Sequence, residues 1–143
     1  MIVVDAYAVI AFLRDEPAAD EVASLMRSAD LSLTAVGVGE VVDHLIRLSG
    51  VEEDDVFLDL AELGLNDALP IDAPAGARAG RLRARYYHRT RCAVSMADCL
   101  AAAVAHDRAV ALATSDPHLL ELCRAESIDT VVLPGSNGAR WPF

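Results

Sequence analysis

The chain has 143 residues, 54% of them hydrophobic, enough for one domain around one core. No apolar run reaches the roughly 18 uncharged residues that a membrane helix needs, so no membrane partner is expected. A net charge of −10 argues against a surface that is basic throughout and binds phosphates everywhere.

The opening MIVVDAYAVIAFLRDE lacks the basic leader of a signal peptide, and Asp5 interrupts its apolar run. Ile2–Val4 is short and β-branched and ends at an acid, as a buried strand does. Ala6–Arg14 has helical periodicity, and the amphipathic stretch Ala18–Ser28 closes a first βα-type unit. Leu31–Leu33 is a weaker strand, followed by helices over Val36–Leu48 and Glu52–Leu63. Leu69–Ile71 is a further short strand, weakened by Pro70. Ala75–Tyr87 is helical, Met96–His106 an alanine-rich helix, Val110–Ala113 a strand, His118–Ala125 a helix and Thr130–Leu133 the last strand. Alternating strands and helices predict an α/β sandwich with a mainly parallel sheet, in one domain over 1–143. The tail Gly135–Phe143 reads as a docked or partner-contacting extension. Cys92, Cys99 and Cys123 are an odd set in no metal-finger spacing, and read as reduced thiols of a cytoplasmic protein.

The charge is unevenly distributed. All 12 basic side chains are arginines, and Arg78, Arg81, Arg83, Arg85, Arg89 and Arg91 fall in a stretch without a single acid, leaving −16 on the rest. Arg78, Arg81 and Arg85 share a helical face. That strip is a candidate RNA rail; it reads equally as a solvated helix face or a docking surface for an acidic protein segment.

Four acids occupy equivalent places. Asp5 follows the first strand, Glu40 lies early in the helix after the second, and Asp116 follows Val110–Ala113. Asp98 lies in the first turn of the helix that leads into that same strand. In a parallel sheet the carboxyl ends of the strands share one edge, where open α/β folds place their sites. Asp5, Glu40 and Asp116 should converge there, and Asp98 joins them if the arginine helix returns the chain to that edge. Three of the acids also have an ordinary local reading. Asp116 before Pro117 has the form of a helix N-cap, Ser95 to Asp98 resembles a capping box, and Asp5 can cap the first helix. Capping does not explain Glu40. Convergent carboxylates repel one another unless a cation compensates, and oxygen-only ligands select hard divalent ions, magnesium or manganese above all.

Three segments, MIVVDAYAVIAFLRDEP, SMADCLAAAVA and ALATSDPHL, together with Glu40, give the chain a recognisable pattern. It resembles the PIN-domain ribonucleases, specifically the VapC toxins of bacterial toxin–antitoxin pairs. The resemblance implies a five-stranded parallel sheet flanked by helices in a three-layer sandwich. It also implies a Mg2+ or Mn2+ site on Asp5, Glu40, Asp98 and Asp116, an RNA substrate, a cognate antitoxin and a homodimer. Thr114 or Ser115 would support a metal-bound water or the substrate phosphate. Tyr7 departs from the family's usual small Ser or Asn, which puts the polar support of Asp5 in question. Glu16 matches a recurrent family glutamate.

Other residues carry weaker signals. Tyr86, Tyr87 and His88 have the chemistry to stack on bases, but a packing or interface role is the expected one. His44, one turn beyond Glu40, reads as an ordinary helix residue, and Asp43 and Asp15 would at most support the ligands from outside. Two further functions compete with the toxin reading: a housekeeping PIN nuclease in RNA processing and a non-catalytic α/β binding module. A phosphoacceptor receiver would need a lysine, which the chain lacks, and a haloacid-dehalogenase phosphatase a D-x-D motif, which Asp5-Ala-Tyr does not supply.

Overall fold

The computed structural model describes residues 1–142; Phe143, at the end of the predicted tail, lies outside them. Four strands, β1 (Ile2–Val4), β2 (Leu31–Ser32), β3 (Ala111–Thr114) and β4 (Thr130–Val132), form one sheet in the order β2-β1-β3-β4. Every pairing is parallel. The helices are α1 (Ala6–Leu13), α2 (Ala19–Ser28), α3 (Ala35–Asp43), α4 (Glu53–Glu62), α5 (Ala73–Tyr86), α6 (Met96–Arg108) and α7 (Pro117–Ala125).

Side chains alternate across a strand, so one pair of neighbours reports both faces of the sheet. On β1, Val3 packs into a core with residues of α5, α6 and α7, whereas Val4 packs into a second core with residues of α1 to α4. On β3, Leu112 joins the first core and Ala113 the second. Both central strands are therefore buried on each side, and the architecture is a helix–sheet–helix sandwich. No helix among the described residues is long and apolar enough to cross a membrane.

The expected fifth strand is reduced to a single contact. Leu69 donates its N–H to Leu33 O at 2.8 Å and accepts from Ala35 N at 2.8 Å, giving an isolated parallel bridge to Thr34. Pro70 has no N–H with which to continue the ladder, so pairing ends there. The helix predicted over Val36–Leu48 is also divided, because His44–Leu48 widens into a π-helical turn. Helix α5 starts before the expected Ala75: Asp72 accepts from Ala75 N at 2.9 Å, and Pro74 sits in the first turn, where its missing N–H is harmless.

The tail is held to the body by Arg140 and Trp141. Gly138 takes φ +80°, which closes a turn back to Gly135. Beyond it, Arg140 pairs with Glu21 of α2 and donates to Val132 O at 2.7 Å, while Trp141 Nε1 donates to Glu121 of α7 at 3.3 Å. A cavity of about 340 Å³ lies between this tail and Ser115 and Pro117. All three cysteines are free, and burial pushes the Cys99 and Cys123 thiols up to about 11 and about 12.

Candidate metal centre

The carboxyl edge of the sheet is built by helix starts. Asp5 follows β1 and caps α1, its Oδ1 accepting from Ala8 N at 2.9 Å. Asp116 follows β3 and caps α7, its Oδ1 accepting from His118 N at 2.8 Å and Leu119 N at 3.4 Å. Asp98 completes a capping box on α6: its carboxylate accepts from Ser95 N at 2.8 Å, and Ser95 Oγ accepts from Asp98 N at 3.0 Å. The local readings of these three acids as helix caps hold.

The acids feel burial first and one another's charge second. The Asp5 carboxyl is raised to about 7, first by burial and then by the charges of Asp98 and Asp116, against the hydrogen bonds from Thr114 and Ala8. Asp98 is raised by burial and by Asp116, against its bonds to Ser95 and the favourable field of His118. Glu40, on the exposed side of α3, is raised by burial of its carboxyl and by Asp98. Asp5, Asp98 and Asp116 thus form a mutually repelling trio, and Glu40 joins it through Asp98. Helix α5 is what brings Asp98 there. It packs antiparallel on α6, with Arg78 paired to Asp107 at 2.7 Å near one end and Arg83 Nε donating to Val94 O at 3.1 Å near the other.

Thr114, fully buried at the end of β3, ties two of the acids together. Its hydroxyl donates to Asp5 Oδ2 and accepts from Asp116 N at 3.1 Å. Thr114→Val should therefore cost about 1–3 kcal/mol, the usual cost of stranding buried partners. A urea unfolding midpoint equal to that of the wild type would contradict this.

Among the described residues, no group of three or more His, Cys, Asp or Glu is drawn close enough to hold a metal ion as it stands. The reason is visible in the bonds just given: Asp5, Asp98 and Asp116 each direct oxygen toward backbone N–H groups. A carboxylate has about four acceptor positions, so each keeps capacity beyond its cap. The donor set is all oxygen, and the raised carboxyls register a surplus of negative charge; both features fit a hard divalent cation.

The remaining residues sort clearly. Asp43 is exposed and bound to Arg47 at 2.8 Å, and Asp15 is exposed in a left-handed conformation. His44 begins the π-helical turn, next to Asp43. The Tyr7 hydroxyl is buried without a well-formed hydrogen bond, and its pKa is raised by burial and by nearby Glu16. Of the arginine face, Arg78 is held by Asp107 and Arg85 by Glu126 at 3.1 Å, while Arg81 is exposed. His118 was not a sequence candidate; its place directly after Asp116-Pro117 on a capped helix start was the available signal. Its Nδ1 lies 3.2 Å from Arg91 O. A cavity of about 570 Å³ is lined by Met1, Asp30 and Leu31, at the amino ends of the strands and away from these acids.

A model of the PIN domain matches residues 2–125. The chain belongs to the PIN domain family. No curated protein matches it at a significant level. This PIN domain is similar in fold to FitAcB from Neisseria gonorrhoeae, with 22% identity and a TM-score of 0.67 over 91% of this chain and 96% of that one. It is similar to FitAB bound to an IR36 DNA fragment, with 23% identity and a TM-score of 0.70 over 92% of this chain and 94% of that one. PAE2754 from Pyrobaculum aerophilum shares 18% identity and a TM-score of 0.59 over 85% and 83% of the two chains.

Proposed function

We propose that this PIN domain, acting as a single domain over 1–143, is a divalent-metal-dependent endoribonuclease and the toxin of a toxin–antitoxin pair. The observation that carries the catalytic reading is the placement of Asp5, Asp98 and Asp116 on helix starts at one sheet edge, with Thr114 bonded to both Asp5 and Asp116. PIN domains are generally nucleases that use divalent metals, and this is the arrangement such chemistry needs.

Asp5, Glu40, Asp98 and Asp116 would hold Mg2+ or Mn2+. When bound, such an ion acidifies a water and neutralises charge on a scissile phosphate. The chain's own residues do the rest. Thr114 fixes the Asp5 carboxylate toward the edge, and the Ser95 box fixes Asp98. The N-termini of α6 and α7 face the same edge and favour an anionic phosphate there. His118, whose field already opposes the charge on Asp98, adds a polar side chain beside the phosphate.

The toxin reading is supported by the resemblance of three segments to VapC toxins and by a fold match that covers nearly the whole of FitAcB and FitAB. FitAB is bound to DNA, but a body charge of −10 suits this chain to local contact with one strand better than to coating a duplex. The reading includes a cytoplasmic homodimer and an antitoxin partner. Cleavage of single-stranded RNA should be absent in EDTA and return on titration with MgCl2 or MnCl2. Cleavage that is indifferent to metal would overturn the mechanism. Growth arrest on expression, relieved by the product of a small neighbouring gene, separates a toxin from a housekeeping nuclease.

A further inference from the structure

The two tyrosines at the end of α5, expected to be packing or interface residues, have different surroundings. Tyr86 packs against the core and donates its hydroxyl to Glu126. Tyr87 is 46% exposed and forms one wall of a cleft of about 300 Å³. Gly80, Arg83, Ala84 and Tyr87 follow one another at helical spacing along a single face of α5, and Met96 of α6, also 46% exposed, stands across from them. A Cβ added at Gly80 would meet nothing within 4 Å, so the floor of the cleft is open.

The chemistry of the cleft is specific. The Arg83 guanidinium lies 4.3 Å from the Tyr87 ring centroid and is fixed there by its bond to Val94 O at 3.1 Å. Arg83 lines the cleft together with Tyr87, so the cleft presents an aromatic ring and a cation held in place side by side. No acid lines the cleft, although the protein carries 22 of them. Met96 and Asp98 both lie in the first turn of α6, so the cleft opens at the same end of that helix as the acid. An aromatic face, a polarisable thioether and a fixed positive charge beside a phosphate-handling edge are the elements of a stacking platform for single-stranded nucleic acid.

We propose that the cleft between Tyr87 and Met96 is a nucleobase subsite, holding one unpaired base of a single-stranded RNA stacked on Tyr87, next to the phosphate at the acidic edge. The proposal rests on the nuclease reading and gives it a determinant of substrate choice. It favours RNA with an unpaired, splayed base over a duplex, whose bases are stacked on one another.

A seven-nucleotide RNA carrying a single 2-aminopurine tests it without relying on cleavage. In EDTA, wild-type protein should quench the 2-aminopurine emission as the base stacks. Tyr87→Phe should do the same. Tyr87→Leu and Met96→Asp should bind about 5- to 100-fold more weakly, the range that loss of one base stack produces. Met96→Asp places an acid at the first position of a helix, where it is favourable, so weaker binding there would not come from unfolding. With MgCl2 present, kcat/KM for RNA cleavage should fall in the same order. An unquenched wild-type complex, or equal binding by Tyr87→Leu, overturns the subsite even if the protein proves to be a nuclease. Conversion of a dimer to a monomer by Tyr87→Leu with quenching intact also overturns it, and assigns the cleft to a second copy of the chain. A wild-type protein that quenches through Tyr87 but never cleaves RNA keeps the subsite and removes the nuclease reading.

Discussion

Asp98→Asn protein should fold as the wild type does and cleave RNA at least about a hundredfold more slowly at saturating magnesium. Loss even of an outer partner of a metal ligand typically costs about 10- to 100-fold, and a ligand itself stands at or beyond that limit. Asp98 links Glu40 to the other acids, since its charge raises both Asp5 and Glu40. Asparagine retains a carbonyl oxygen for Ser95 N, so the start of α6 should survive. Circular dichroism and a urea midpoint would check the fold, and a fluorogenic RNA in a magnesium titration the activity. Asp54→Asn makes the control: it removes an exposed charge from the first turn of α4 and should leave the rate unchanged. Full activity in Asp98→Asn protein would remove this edge from consideration as the active site.

The stability of the metal-free protein should fall as pH rises from about 4 to about 7, and Asp5 should be the main cause. Its carboxyl moves from 3.8 to about 7 on folding, so the folded form holds the proton more tightly than the unfolded chain. The stabilisation is complete below the unfolded value, declines between the two and is gone above the folded one. Each unit is worth about 1.4 kcal/mol, and partial exposure of the residue reduces the total to about 2 kcal/mol. Urea unfolding in EDTA between pH 4.5 and 8 measures it. Asp5→Asn protein should show a flatter profile and be the more stable at pH 8, because asparagine still caps α1 without bringing a charge. Magnesium or manganese should stabilise the wild type more at pH 8 than at pH 5, where the proton competes with the ion. Equal pH profiles for the two proteins would show that the repulsion at this edge is not felt by the folded state.

Much of this site was readable because it sits on repeating local signals. An acid directly after a β-branched strand, as at Asp5, and an acid before proline, as at Asp116, mark the same edge from two points in the chain. The alternation of short apolar strands with helices gave the layered fold for the same reason. What stayed hidden depended on geometry that no local signal encodes. Whether α5 returned Asp98 to the edge was settled by its antiparallel packing on α6, through Arg78 and Arg83. Pro70 left Leu69 room for one bridge, too little for a strand, and the π-helical turn at His44 is a shift of hydrogen-bond register within an ordinary helical pattern. The arginine face looked free in sequence, yet two of its three members are engaged by acids distant in the chain. Tyr86 and Tyr87 are adjacent and chemically alike; their roles differ because the end of the helix lies between them.

The docked tail gives the protein a built-in optical gauge. Trp141 is the only tryptophan, and it shares a cavity with Ser115 and Pro117, the residues on either side of Asp116. Its indole is bonded to α7 through Glu121, while neighbouring Arg140 is bonded to α2 through Glu21, from the opposite layer. Emission from this single indole therefore reports on the shoulder of the acidic edge, and loosening of the two helix layers registers as a change in colour and intensity without any added label.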